Sequence, residues 1–256
     1  MRLKLHISPC PNDTFMFDAL VNGRIDTGSL RFEVEYHDIE ELNRGAGLGR
    51  ADISKISCAV LPAIAKHYAL LDSGAALGRG NGPLLVRRAG DTRPIRRVAV
   101  PGLHTTANAL MGKLFPQIEE CTPLLFSRIA AAVERGDFDA GVLIHEGRFV
   151  YRERELELVA DLGQLWEQRT ALPLGGIAAR RSLPDEVRHE AERLLRTSIE
   201  YAFTHPEASR TYIKQHAQEL DDKVIDAHIA LFVNGYSLSL GDEGRRAVEA
   251  LTGVIP

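Results

Sequence analysis

Residues 140–144, Ala-Gly-Val-Leu-Ile, are small or apolar at every position. A strand carries that pattern when both of its faces are covered, and a parallel sheet flanked by helices is the arrangement that covers both. This stretch commits the chain to an α/β architecture. His145 follows directly, then Glu146, Gly147 and Arg148. Groups just past the carboxyl end of such a strand line the crevice where an open α/β sheet binds its ligand. Histidine, with an ordinary pKa of about 6.5, is suited to proton transfer near neutrality. Two readings of His145 are open at this point: a titratable group that meets a substrate, and a strand-end ring hydrogen-bonded to backbone.

The rest of the chain repeats strand, loop and helix. Residues 3–7 form a strand, Ser8-Pro-Cys-Pro-Asn-Asp-Thr-Phe15 is the loop after it, and Asn12 or Asp13 is placed to cap a helix that runs to Leu20 and stops at Asn22-Gly23. That helix end offers N–H groups to an anion or a carbonyl oxygen, or serves for capping alone. Residues 31–37 alternate as a strand, and Asp38 caps a helix that ends in Gly45-Ala-Gly-Leu-Gly49. This glycine run closes a helix instead of opening one after a strand, so it is not a dinucleotide fingerprint. The strand at 53–57 brings Lys55 and Ser57 towards the same crevice, and a helix is expected over 59–67. Strands at 68–77 and 84–88 flank Gly78-Arg-Gly-Asn-Gly-Pro83, whose glycines permit positive φ and close backbone approach in a hairpin or crossover turn. The polar, proline-containing stretch 91–97 is the first candidate for a hinge.

A second lobe starts with the strand at 97–101, then Gly102-Leu-His-Thr-Thr106 and a helix over 107–114. Thr105 or Thr106 caps it and leaves N–H groups and hydroxyls aimed at a ligand. A strand at 123–126, a helix at 128–135 ended by Gly136, the His145 strand, a strand at 156–160, a helix at 162–169 carrying Trp166 and a return strand at 172–179 follow. Beyond Pro184 the pattern is helical, with Val187, Ala191, Leu194, Leu195 and Ile199 on one stripe and a break at His205-Pro206. His189, His205, His216 and His228 show no metal-ligand spacing and are expected on solvated faces. The expected fold is α/β, two lobes with a ligand cleft between them, lobe 1 being 1–91 with the helical tail 176–256 and lobe 2 being 92–175.

A chain of 256 residues is long enough for two cores. With 31 basic and 35 acidic residues, a net charge of -4 gives no electrostatic case for nucleic acid or an acidic membrane as partner. The local cluster of Arg87, Arg88, Arg93, Arg96 and Arg97 is read as a solvated connection. No apolar run approaches the roughly 18 residues of a membrane span, and Met1-Arg-Leu-Lys-Leu-His-Ile7 alternates like a strand and lacks the apolar segment of a signal peptide, so a cytoplasmic protein is expected. Cys10, Cys58 and Cys121 fit neither a disulfide framework nor a zinc site, and no metal is expected. There is no Gly-x-x-x-x-Gly-Lys-Ser/Thr loop; Phe149 stands where zincin spacing after His145-Glu146 needs histidine; Gly235-Tyr-Ser237-Leu-Ser239 misses a nucleophile elbow. One histidine, one lysine, several hydroxyls and helix amino ends remain. They fit proton abstraction from a carbon acid, with the developing oxyanion held by N–H and O–H donors.

Four motifs in order, Ser8-Pro-Cys-Pro-Asn-Asp-Thr-Phe15, Ala76-Leu-Gly-Arg-Gly-Asn-Gly-Pro83, Val98-Ala-Val-Pro-Gly-Leu-His-Thr-Thr106 and Gly141-Val-Leu-Ile-His-Glu-Gly-Arg-Phe149, resemble the 1,4-dihydroxy-6-naphthoate synthase family of the futalosine route to menaquinone. The similarity runs along nearly the whole chain. It implies a periplasmic-binding-protein-like fold of type II. It also implies a carbon-carbon lyase that converts cyclic dehypoxanthine futalosine to 1,4-dihydroxy-6-naphthoate and releases a sugar-derived fragment without a cofactor. On the matching positions the resemblance makes His145 the proton acceptor and puts Lys55, Ile56, Ser57, Thr105, Thr106 and Ala107 against substrate; Asn12, in the first motif, is a further candidate contact. The chain departs from the family pattern near Leu165-Trp166 and at 171–175. The rival readings are a cytoplasmic small-molecule sensor of the same fold, and the related chorismate dehydratase. Oligomeric state is not legible in the sequence.

Overall fold

The computed structural model describes the chain apart from Glu146, residues 167–169 and Glu219, with the side chain of Val150 also outside the description. The end of the helix expected at 162–169 therefore lies outside the described residues. Strands are β1 Arg2–Ile7, β2 Arg31–Tyr36, β3 Ile53–Ser57, β4 Tyr68–Leu70, β5 Ala76–Gly78, β6 Leu84–Arg88, β7 Arg97–Val100, β8 Glu120–Pro123, β9 Ala140–Leu143, β10 Leu156–Asp161 and β11 Leu172–Arg180. Helices of the first half are α1 Pro11–Val21, α2 Ile39–Gly47, α3 Leu61–Ile64, α4 Thr106–Leu114 and α5 Phe126–Arg135. Those of the second half are α6 Gly147–Val150, α7 Leu162–Trp166, α8 Asp185–Thr204, α9 Arg210–His216, α10 Asp222–Phe232, α11 Gly235–Leu238 and α12 Gly241–Thr252.

The strands form two sheets, one in the order β2-β1-β3-β11-β4 with β5 also on β11, the other in the order β10-β6-β9-β7-β8. β9 is buried throughout and runs parallel to β7 and antiparallel to β6, so the sheet is mixed. Gly141 explains why a small residue is needed in it. A Cβ there would lie 2.5 Å from Ile129 Cγ2 and 2.8 Å from Val133 Cγ2, so its absence lets α5 seat directly on the strand. α8 covers the first sheet through α1, where Ser198 Oγ donates to Met16 O at 2.7 Å and accepts from Leu20 N at 3.1 Å.

Several expected boundaries move. β6 was expected in lobe 1 and residues 172–175 in lobe 2, but β6 pairs within the second sheet and β11 belongs to the first from Leu172 onward. The chain crosses between sheets at 79–83 and returns after α7, while the stretch 91–97, expected as a hinge, joins two strands of the same sheet. The strand expected over 68–77 breaks in two because Gly74 turns the chain at φ 89°. The helix expected at 59–67 shortens to a 3-10 turn, Cys58–Val60, and α3. The strand expected at 123–126 lies earlier, at β8, and Phe126 instead opens α5, where Phe126, Ile129, Ala130 and Val133 repeat with helical spacing. The three cysteines are free thiols, Cys10 and Cys58 buried.

Candidate active site

A cleft of about 610 Å³ opens between the two sheets. Asn12, Lys55 and Ser57 reach it from the first sheet and α1, and Thr106, Ala107 and His145 from the second lobe. Ile56 and Thr105, both expected at the substrate, are not part of this lining. The Ile56 side chain is fully buried in the apolar core on the other face of β3, as strand alternation requires. Thr105 is spent as the N-cap of α4: its Oγ1 accepts from Asn108 N at 3.2 Å and donates to Gly102 O at 2.8 Å.

The floor of the cleft on the first lobe is a buried ion pair. Lys55 Nζ lies 2.9 Å from Asp13 Oδ1, and the two residues are 6% and 0% exposed. The carboxylate also accepts from Ser8 N, Ser8 Oγ and Asn12 Nδ2 at 3.1, 2.7 and 2.9 Å. Neither Asn12 nor Asp13 therefore caps α1, which starts at Pro11 with no side-chain cap on Cys10. Proline is tolerated at the first helical position because the N–H it lacks has no intrahelical partner there and its φ already suits a helix.

The donors at the rim are set by what each group already bonds. Ser57 Oγ accepts from Asn43 Nδ2 at 3.0 Å, and Ser57 N donates to Asn43 Oδ1 at 2.8 Å, so the serine O–H proton is left for the cleft. Thr106 Oγ1 donates to Leu174 O at 2.7 Å and accepts from Ala59 N at 3.3 Å, so its hydroxyl is engaged. What this helix end offers a ligand is the backbone N–H of Thr106 and of Ala107, which have no intrahelical partner in the first turn. Asn43 Nδ2 also reaches His104 O at 3.1 Å, and Glu40 accepts from His104 N at 3.1 Å, so α2 ties the first lobe to the loop before α4.

His145 ends the β9 segment in the left-handed region, φ 52°, the sole non-glycine residue with positive φ among the described residues. Its ring meets Phe126 edge-on at 5.0 Å and lies parallel to the ring of His228 at 5.9 Å and 9°. His228 belongs to α10, which packs on α1, so the two rings face each other from opposite lobes. The expectation of a solvated His228 is overturned: it is fully buried, against Phe149 and Phe232, and its Nε2 is 3.0 Å from Asn12 Oδ1. Burial holds its pKa well below the usual value, reinforced by the neighbouring His145 ring and the Lys55 ammonium.

Asp13, Asn81, Arg148 and His228 are site residues that the sequence reading passed over. Arg148 lines the cleft, donates to Gly82 O and approaches Asp161 Oδ2 at 3.7 Å. The signal for His228 was present in its spacing, since Ile225, His228 and Phe232 form the buried stripe of α10. Among the described residues one group could hold a metal ion, His6, Glu35 and His37, with ligand atoms within 4.8 Å of one another. It sits on β1, on β2 and on the residue just after β2, and shares no residue with the cleft lining. No helix of the described residues is long and apolar enough to cross a membrane.

A 1,4-dihydroxy-6-naphthoate synthase of Thermus thermophilus is 46% identical over 97% of this chain and 92% of its own length. One from Streptomyces coelicolor is 43% identical over 97% and 91%. A crystal structure of an Archaeoglobus fulgidus protein superposes with a TM-score of 0.90 at 33% identity, covering 98% of this chain and 95% of that one. A Candida albicans protein described as having the generic periplasmic binding protein fold superposes with a TM-score of 0.73 at 14% identity over 100% and 92%, which shows the fold, as expected. The family described as Menaquinone biosynthesis matches residues 3–255, and the chain belongs to it.

Proposed function

We propose that this enzyme of menaquinone biosynthesis converts cyclic dehypoxanthine futalosine to 1,4-dihydroxy-6-naphthoate as a carbon-carbon lyase acting in the cytoplasm, with His145 as the general base. The observation that carries the reading is that His145 shares one cleft with Ser57, Thr106 and Ala107. Neutral His145 takes a proton from a carbon next to a carbonyl of the bound substrate. The pair of the broken C–H bond forms an enolate, whose oxyanion accepts from the Ser57 hydroxyl and the N–H groups of Thr106 and Ala107. As that pair flows on into the ring, the C–C bond to the sugar-derived fragment breaks, the fragment leaves with the bond's electrons and takes up the proton held by His145, and the ring becomes aromatic. Buried, neutral His228 leaves His145 free to carry the charge it gains.

Purified protein mixed with the cyclic substrate should release the naphthoate, followed by absorbance and mass, and should not consume chorismate. His145→Ala should keep KM near the wild-type value while kcat falls by about 10² to 10⁴, the usual contribution of a positioned base. Turnover of that variant near the wild-type rate refutes the assignment. Binding of the cyclic compound without conversion by the wild type makes the protein a sensor.

A further inference from the structure

Asn81 sits on the crossing from the first sheet to the second, between β5 and β6, and lines the cleft. It is 2% exposed, yet among the described residues neither its Oδ1 nor its Nδ2 has a hydrogen-bond partner. Buried amides are almost always satisfied, and leaving both ends of one without a partner is destabilising. The side chain is also held in place. Gly82, next to it, packs so closely on Gly163 that a Cβ on either would overlap the other's backbone, and Arg148 donates to the Gly82 carbonyl. Gly78 lies under the amide, where a Cβ would come 3.3 Å from Asn81 Nδ2. Asn81 thus lines the cleft with both ends of its amide buried and, among the described residues, without a partner in the protein.

We propose that Asn81 is a substrate-binding residue that reads the hydroxyls of the sugar-derived part of the substrate, not its carboxylate; this rests on the function proposed above. The choice follows from the chemistry of the amide, which presents donors and an acceptor side by side. A carboxylate would satisfy Nδ2 and set its own charge against Oδ1. Hydroxyls both donate and accept, so a neighbouring pair satisfies both ends. The acid end of the substrate is left to other groups of the cleft.

The test is steady-state kinetics on wild type, Asn81→Leu and Asn81→Asp with the cyclic substrate, with thermal midpoints alongside. Asn81→Leu removes both hydrogen bonds at similar volume, and its KM should rise about ten- to a hundredfold while kcat stays within about threefold. Its thermal midpoint should not fall, because no bond of the unliganded protein is lost. Asn81→Asp keeps the shape and can accept from two hydroxyls, so its KM should stay closer to wild type than that of the leucine variant. An aspartate variant worse than the leucine variant means that position 81 faces the carboxylate, and overturns the proposal. So does an unchanged KM in both variants. A leucine variant that misfolds leaves the aspartate one to decide. If wild type makes no naphthoate, the functional reading itself fails, which is a separate result, and this proposal falls with it.

Discussion

Replacing Asp13 by alanine should be among the most damaging single changes in the first lobe. The carboxylate is wholly buried, and its removal strips the acceptor from Lys55 Nζ, Ser8 N, Ser8 Oγ and Asn12 Nδ2 at once. Breaking a buried ion pair from one side costs about 3–5 kcal/mol, because an uncompensated charge stays inside. At about 2–4 °C per kcal/mol for a chain of this size, the thermal midpoint should drop by about 6–20 °C. Lys55→Met is expected to be milder, since Asp13 keeps three donors. Asp13→Ala with Lys55→Met should recover part of the loss of Asp13→Ala, because no unpaired ammonium remains. Urea unfolding followed by circular dichroism on the four proteins gives the coupling energy directly. A loss below about 1 kcal/mol for Asp13→Ala, or strict additivity in the cycle, would refute the reasoning.

Other expectations follow from single residues. Because the folded pKa of His228 is depressed, the unfolded state binds the extra proton first, so stability is full above about pH 6.5 and falls below it by up to about 1.4 kcal/mol per pH unit. His228→Gln, which can still donate to Asn12, should flatten that decline in unfolding free energies measured from pH 7.5 to 5; an unchanged slope denies the depressed pKa. His145→Gly should be more stable than His145→Ala by about 1–2 kcal/mol, the strain of a side chain in the left-handed region, with turnover equally low in both. Equal midpoints would mean the backbone relaxes. Gly175→Ala places a Cβ 2.6 Å from Ile56 O and 3.4 Å from Lys55 Cε. Forcing β11 off β3 there should cost about 1–3 kcal/mol in thermal unfolding and raise KM, and a silent substitution would show the strands are free to separate.

What the sequence made legible is what local chemistry decides. The apolar run into His145, the Asp38 cap on α2, a threonine cap on α4 from Thr105 or Thr106, of which Thr105 holds it, and the Gly136 stop on α5 each rest on neighbours a few positions apart, and each stands in the structure. The pairing of Asp13 with Lys55 joins residues forty-two positions apart on different elements, and no spacing announces it. The crossing at 79–83 was misplaced for a related reason: a short strand, a glycine turn and a second short strand read alike whether the strands pair or part to different sheets. Asn81 escaped because a lone asparagine between glycines is ordinary turn chemistry. Only its burial without a partner sets it apart.

The two facing histidines have different fates, and the difference traces back to that ion pair. Asp13, as a carboxylate, can only accept, so the Asn12 amide turns its NH2 towards it. That orientation aims Asn12 Oδ1 at His228, and the proton of His228 must therefore sit on Nε2. Burial then keeps the ring from taking a second one. Two imidazolium ions 5.9 Å apart would repel by about 3 kcal/mol at an effective dielectric near 20, a repulsion that a His228 held neutral removes. A binding fold needs only a cleft that fits its ligand. Here the first lobe also fixes the charge state of the ring that faces His145, while the second lobe presents His145 on a strained turn at the end of its central strand.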